Sequence, residues 1–204
     1  MSDVKPNRRE MYAALTKAAV LDAAKSLFVD KGFTATSVED IARLAHASKG
    51  AVYHHFSDKQ AIFAEVFRTA QNAVLLQALR SMTAASTPWE QIETGTRGFL
   101  RECLADHEAM ALLRQVMEVL GWDRVRAIDE EAAMPFLRAT LAELVKTGEI
   151  RDVPLEAAAE LIYSVYCNAI LYVAAAADPE RATAEMEKVI FVMLDGFRNA
   201  PSRD

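Results

Sequence analysis

The stretch Thr36-Ser37-Val38-Glu39-Asp40-Ile41-Ala42, followed after a short break by Ser48-Lys49-Gly50-Ala51-Val52-Tyr53-His54-His55-Phe56-Ser57-Asp58-Lys59, decides how the rest of the chain is read. Ser37 with Asp40 three residues on has the pattern of a capping box, in which two side chains satisfy helix-start amides reciprocally. The helix it opens is expected to bury Val38, Ile41, Ala42 and Ala45. The apolar pattern stops at His46-Ala47, and Ser48 supplies an N-cap for a short helix from Lys49 to about His55. Helix, tight turn, helix is an arrangement that fits its second helix to the major groove while the first fixes the crossing angle. Ala42 is the small residue that such close packing needs, and Val52 is placed to pack back onto Ile41 and Ala45. Lys49, Ala51, Tyr53 and His54 then project outward, towards bases and phosphates. Ser37, Ser48 and Lys59 lie at helix N-termini, where amides and the helix dipole favour an anion.

Outward from this stretch the chain reads as helix throughout. Val20, Ala23, Ala24, Leu27 and Phe28 predict a first helix from about Thr16, stopped by Gly32. Ser57-Asp58-Lys59-Gln60 has the pattern of another capping box, with Ser57 as the cap, and starts a long helix reaching about Met82, which links the head to the remainder of the chain without a Gly/Ser linker. Thr87-Pro88-Trp89-Glu90 opens a helix to roughly His107. Further helices are expected at Met110 to Leu120, from about Asp129 to Lys146, after Pro154, and after Asp178-Pro179. The expectation is an all-α protein with no sheet: a helix-turn-helix head over 16–67 and a body over 68–204.

Composition supports that reading and excludes others. The 204 residues are 52% hydrophobic with 7 Gly and 6 Pro, enough apolar material for a core and few breakers. Net charge is −6, yet ten basic against eight acidic residues up to Arg68 leave the first 68 residues at +2 and the remainder at −8. A basic end on an acidic body suits a protein that presents one end to nucleic acid. Cys103 and Cys167 are far apart and form no C-x-x-C pair, which fits a reducing cytosol. Met1 to Glu10 is polar and lacks the apolar run of a secretory signal, so a cytoplasmic location is expected. Leu161 to Ala177 is free of formal charge, but it is short for a membrane span and contains Ser164 and Asn168. A buried interface helix is the better reading, with no membrane partner.

The last two helices are apolar on more than one face. Met186, Val189, Ile190, Met193, Leu194 and Phe197 form one stripe, and Phe191 and Val192 extend it to another side. Leu161, Ile162, Val165, Tyr166, Ala169, Ile170, Tyr172 and Val173 are similarly broad. One core does not cover both, so a two-fold homodimer through these helices is expected. Candidate ligand-binding residues of the body are Phe67, Phe99, Cys103, His107, Met110, Arg114, Met117, Trp122, Tyr163, Tyr166 and Asn168, apolar gap-fillers and polar groups in apolar stretches that need partners. Met134 is a further candidate for a cavity wall. Cys103 and His107 lie four apart and read as one helix face, without further ligands to complete a metal site. No phosphate-binding loop, dinucleotide fingerprint or nucleophile elbow is present, and Gly95-Thr96-Arg97-Gly98 is too short to count. Neither a cofactor nor catalysis is expected. The rival reading is a helical carrier or enzyme whose head is only structural.

Gly32-Phe33 through Ala42 and Ser48 through Lys59 resemble the tetracycline-repressor (TetR) family in residue kind and spacing. The resemblance covers about the first third of the chain. It implies that Lys49, Gly50, Ala51, Tyr53 and His54 face an operator in double-stranded DNA, with Ser37, Ser48, Tyr53 and Lys59 gripping phosphates. It implies a dimer reading an inverted repeat, with half-sites about one helical turn (~34 Å) or a multiple apart. An unidentified small-molecule effector in the body would then release the DNA. One residue departs from the family pattern: His46 stands where the turn usually has glycine, so histidine must adopt a left-handed conformation.

Overall fold

A computed structural model describes residues 8–199, and among these residues there are nine α-helices, one short 3₁₀ turn and no strand. Ile150 and Arg198 form an isolated antiparallel bridge. The polar N-terminal segment up to Asn7, and the body's last residues from Ala200, lie outside the described residues.

Helix α1, Arg8–Ala35, starts well before Thr16. Its first turns carry Met11, Tyr12 and Leu15 exposed, so an amphipathic pattern becomes visible only where burial begins, at Val20. Gly32 has φ +80° and breaks the helical path, as its position in the sequence suggests. Thr36, buried just past the broken end, holds it: its single Oγ1 hydrogen is shared between the carbonyls of Gly32 (2.8 Å) and Leu27 (3.2 Å).

Helix α2 is Val38–Leu44 and α3 is Lys49–His55. Ser37 and Asp40 make the full capping box, and Ser48 Oγ accepts from the Ala51 amide at 3.1 Å. Between them His46 has φ +51°, the one non-glycine residue with positive φ among those described. Helix α4, Lys59–Ser81, is capped by Asp58 rather than Ser57: Asp58 accepts from the Ala61 amide at 2.7 Å. A carboxylate is the stronger acceptor at the positive end of a helix.

The body comprises α5 (Pro88–Ala105), α6 (His107–Val119), α7 (Gly121–Lys146), α8 (Leu155–Ala175) and α9 (Pro179–Asp195). Asp106 ends α5 and caps α6, accepting from the Ala109 amide at 2.9 Å. Cys103 and His107 therefore do not share a helix face. Helix α7 begins eight residues earlier than the apolar pattern predicts, because Gly121, at φ +71°, turns the chain directly out of α6. Helix α5 lies close against α4: a Cβ at residue 98 would sit 2.1 Å from Ser81 Oγ, and one at residue 95 would sit 2.9 Å from Met82 Sδ. Close packing is thus the role of the two glycines in Gly95-Thr96-Arg97-Gly98.

Two clusters of buried side chains dominate. One joins the head to the body, packing Phe28, Ile41, Val52 and Phe63 with Leu112, Val116 and Val119 of α6 and Val125 and Ile128 of α7. The other lies wholly in the body and includes Trp89, Leu100, Met134, Leu144, Ile162 and Ile190. Outside both, Leu161 and Tyr172 of α8 and Val189, Val192 and Met193 of α9 remain exposed, Val192 by 73%.

Candidate nucleic-acid interface and body cavity

The head presents α3 to solvent. Val52 is fully buried against the core, and this orients the rest of the short helix: Lys49, Gly50, Tyr53 and His54 are exposed and Ala51 is half-buried. Lys49 is paired with Glu39 of α2, which raises the lysine's pKa and lowers the carboxylate's through the hydrogen bond between them. Both groups are exposed, so the pair adds little to stability. Lys49 Nζ also lies 5.8 Å from the centre of the Tyr53 ring. His54 and His55 stack edge to face at 5.2 Å, and burial lowers the pKa of His55. Ser37 Oγ and Ser48 Oγ accept helix-start amides, so each hydroxyl sits at a helix N-terminus.

Lys59 is placed differently from the other candidate DNA contacts. Its Nζ donates to the carbonyls of Phe33 and Thr36, both at 2.7 Å, and lies 4.1 Å from the Phe33 ring centre. Two of its three ammonium hydrogens thus tie down the chain after Gly32, and desolvation lowers its pKa. Gln115 of α6 grips the same region from the other side. It accepts from the Phe33 amide at 2.6 Å and donates to the Phe28 carbonyl at 3.0 Å. Neither role is visible in sequence, since Gln115 acts 82 residues away from Phe33.

The body holds a cavity of about 160 Å³ between α4, α5, α7, α8 and α9. Its lining is largely aliphatic and aromatic, including Leu75, Ala78, Met134, Leu137 and Ile170. Of the sequence candidates, Phe99, Tyr163, Tyr166 and Met134 line it. The structure places the others elsewhere. Phe67 belongs to the head core, Cys103 packs with Val74 and Ala109, and Met110 packs with Val173, Ala174 and Ala182. Met117, Trp122, His107, Arg114 and Asn168 are exposed. Arg114 Nε and Asn168 Nδ2 are satisfied by the carbonyls of Ala174 and Ser164, both at 2.8 Å. These polar side chains found backbone partners, which a one-dimensional pattern does not distinguish from a ligand.

Two polar groupings face the cavity. Thr96 and Tyr166 share a 2.5 Å hydrogen bond, and burial pushes the Tyr166 phenol up to about 12. The second centres on Asp129, which the sequence pattern marks only as a helix start. Tyr163 donates to Asp129 Oδ2 at 2.5 Å, and Gln71 Nε2 donates to Oδ1. Burial raises the Asp129 pKa, against the pull of these two hydrogen bonds and the charge of Arg126. The available signal was an acid at an apolar position, since Val125, Asp129, Ala132 and Phe136 follow helical spacing along one stripe.

An exposed helix-turn-helix, capped at both helices and braced against a helical body with its own cavity, defines a helix-turn-helix DNA-binding regulator. Residues 20–66 match the family model described as bacterial regulatory proteins, tetR family, and residues 89–197 match the tetracyclin repressor-like C-terminal domain. The chain belongs to the TetR family of transcriptional regulators. It is 23% identical over 146 residues to the transposon Tn10 TetC protein of Escherichia coli, covering 71% of this chain and 73% of that one. The solved structure of a TetR-family transcriptional regulator from Pectobacterium atrosepticum matches with a TM-score of 0.80 at 25% identity, over 96% of this chain and 100% of that one. Thermus thermophilus FadR, a TetR-family transcriptional repressor in complex with lauroyl-CoA, matches in fold with a TM-score of 0.71 at 22% identity, over 92% and 99%.

Proposed function

We propose that this regulator is a cytoplasmic homodimeric repressor whose two heads bind an inverted-repeat operator and which leaves the DNA when a small molecule occupies the body cavity. The observation that carries this reading is the continuity of α4: capped at Asp58 beside the reading helix, it runs on to Gln71, Leu75 and Ala78 in the cavity wall. A ligand that displaces α4 changes the placement of the heads, and a coupling of ~1–3 kcal/mol is enough to release an operator. Residues 16–67 serve as the reading module and 68–204 as the sensing and dimerising module, with the boundary inside α4. Lys49, Gly50, Ala51, Tyr53 and His54 read bases, while Ser37, Ser48, Tyr53 and the remaining hydrogen of Lys59 hold phosphates. The effector contacts are Phe99, Tyr163 and Tyr166 among the sequence candidates. The exposed apolar side chains of α8 and α9 support dimerisation through the last two helices, and the same pairing would cover the apolar face of α8 without a membrane. FadR, a repressor solved in complex with lauroyl-CoA, supports the reading that a repressor of this fold takes a small-molecule ligand.

The test is fluorescence anisotropy with fragments of the protein's own upstream DNA at several salt concentrations. The expected result is tight binding to one inverted repeat, with a protein dimer as the bound unit. Uniform affinity for all fragments overturns the reading.

A further inference from the structure

The cavity is apolar along most of its wall, but where Gln71 meets Asp129 it has acceptors to spare. Asp129 is only 1% exposed, and its hydrogen-bond donors, the Tyr163 hydroxyl and the Gln71 amide, are both neutral. Gln71 Oε1 is buried and has no hydrogen-bond partner. Arg126, one turn before Asp129, is not in the cavity wall: it pairs with Glu130 and Glu160, and its guanidinium lies 4.8 Å from the centre of the Tyr163 ring. Although its buried Nη1 lacks a hydrogen-bond partner, it reaches Asp129 only through its charge, not through an ion-pair contact. The site therefore holds a carboxylate without an ion-pair partner and an amide oxygen without a donor. Both omissions are costly in a buried setting, and a ligand that supplies positively charged N–H groups removes both. An anionic ligand would instead meet a carboxylate.

Size sets the rest. An apolar cavity of ~150 Å³ holds one benzene ring, so a space of about 160 Å³ fits a single ring or a branched aliphatic body of that bulk. Taking the cavity as the effector site proposed above, we infer that the ligand is a small lipophilic amine. Its ring-sized body fills the cavity, and its ammonium donates to Asp129 Oδ1 and Gln71 Oε1. Gln71 belongs to α4 and Asp129 to α7. An ammonium inserted between them replaces their direct hydrogen bond with a wider bridge, so the recognition contact is also the contact that shifts α4.

The test is isothermal titration calorimetry of the full chain with three probes of one size: benzylamine, benzyl alcohol and sodium benzoate, near neutral pH. The wild type is expected to bind benzylamine at least tenfold more tightly than either of the others. Asp129→Asn is expected to bring the amine down to the level of the alcohol. A preference for the amine of less than tenfold, or binding of none of the three probes, overturns the proposal, as does an amine preference that survives Asp129→Asn. The wild-type comparison decides the matter alone if the variant fails to fold. Operator anisotropy with benzylamine present separates this inference from the functional reading on which it rests. Selective amine binding that leaves operator affinity unchanged upholds the ligand class and overturns ligand-driven release.

Discussion

The reading head and the body cavity are built on opposite terms. The head's candidate DNA contacts all fall between Ser37 and Lys59, and local caps and one left-handed turn orient α2 and α3, the second of which carries five of them. The cavity takes its wall from five helices, from Gln71 to Leu194, and its polar centre joins residues 58 and 34 positions apart. A surface made by local geometry can change residues without disturbing the fold. A cavity made by packing cannot, because its lining is also core. The difference also shows in charge, since the head offers exposed cations while the body buries one acid among neutral donors.

Phe63→Ala tests that contrast most severely. Phe63 is fully buried, with its ring 5.2 Å from Phe28 and 5.6 Å from Phe33, in the cluster that joins head and body. Urea denaturation should show a loss of ~3–5 kcal/mol. A loss confined to the head, with the body melting as in the wild type, would break the claim of a shared core. Tyr53→Ala should do the reverse. Tyr53 is 48% exposed, so stability should stay within ~0.5 kcal/mol while specific operator binding falls by ~1–3 kcal/mol. Retention of the dimer, checked by light scattering, separates this from unfolding.

His46→Gly probes the turn. A non-glycine residue at φ +51° carries strain of order 1 kcal/mol, partly offset by the extra freedom glycine has in the unfolded chain. The variant should gain a few tenths of a kcal/mol in a urea midpoint measurement, and destabilisation would show that the imidazole makes a compensating contact. The smallest effect is a pH dependence in the body. Because burial raises the Asp129 pKa in the folded state, its contribution to stability is full below the unfolded value of about 4 and is lost as pH rises through the raised value. Paired melts of wild type and Asp129→Asn across that interval should show the wild type losing stability relative to the variant as pH rises. Parallel curves would mean that Tyr163, Gln71 and Arg126 hold the carboxylate ionised throughout.

The sequence by itself determined the all-helical class, the helix-turn-helix, and the caps at Ser37, Ser48, Thr87 and Asp178, while the left-handed turn at His46 was implied only by the family resemblance. Each of these acts within about four residues, so residue type and spacing carry the whole cause. Tertiary structure alone decided that Lys59 turns inward to two carbonyls, that Gln115 clamps the broken end of α1, that Gly98 admits α4, and that Asp129 meets Gln71 and Tyr163. In those cases the partner is supplied by another helix, and a side chain's role depends on which donor, acceptor or empty space packing brings to it.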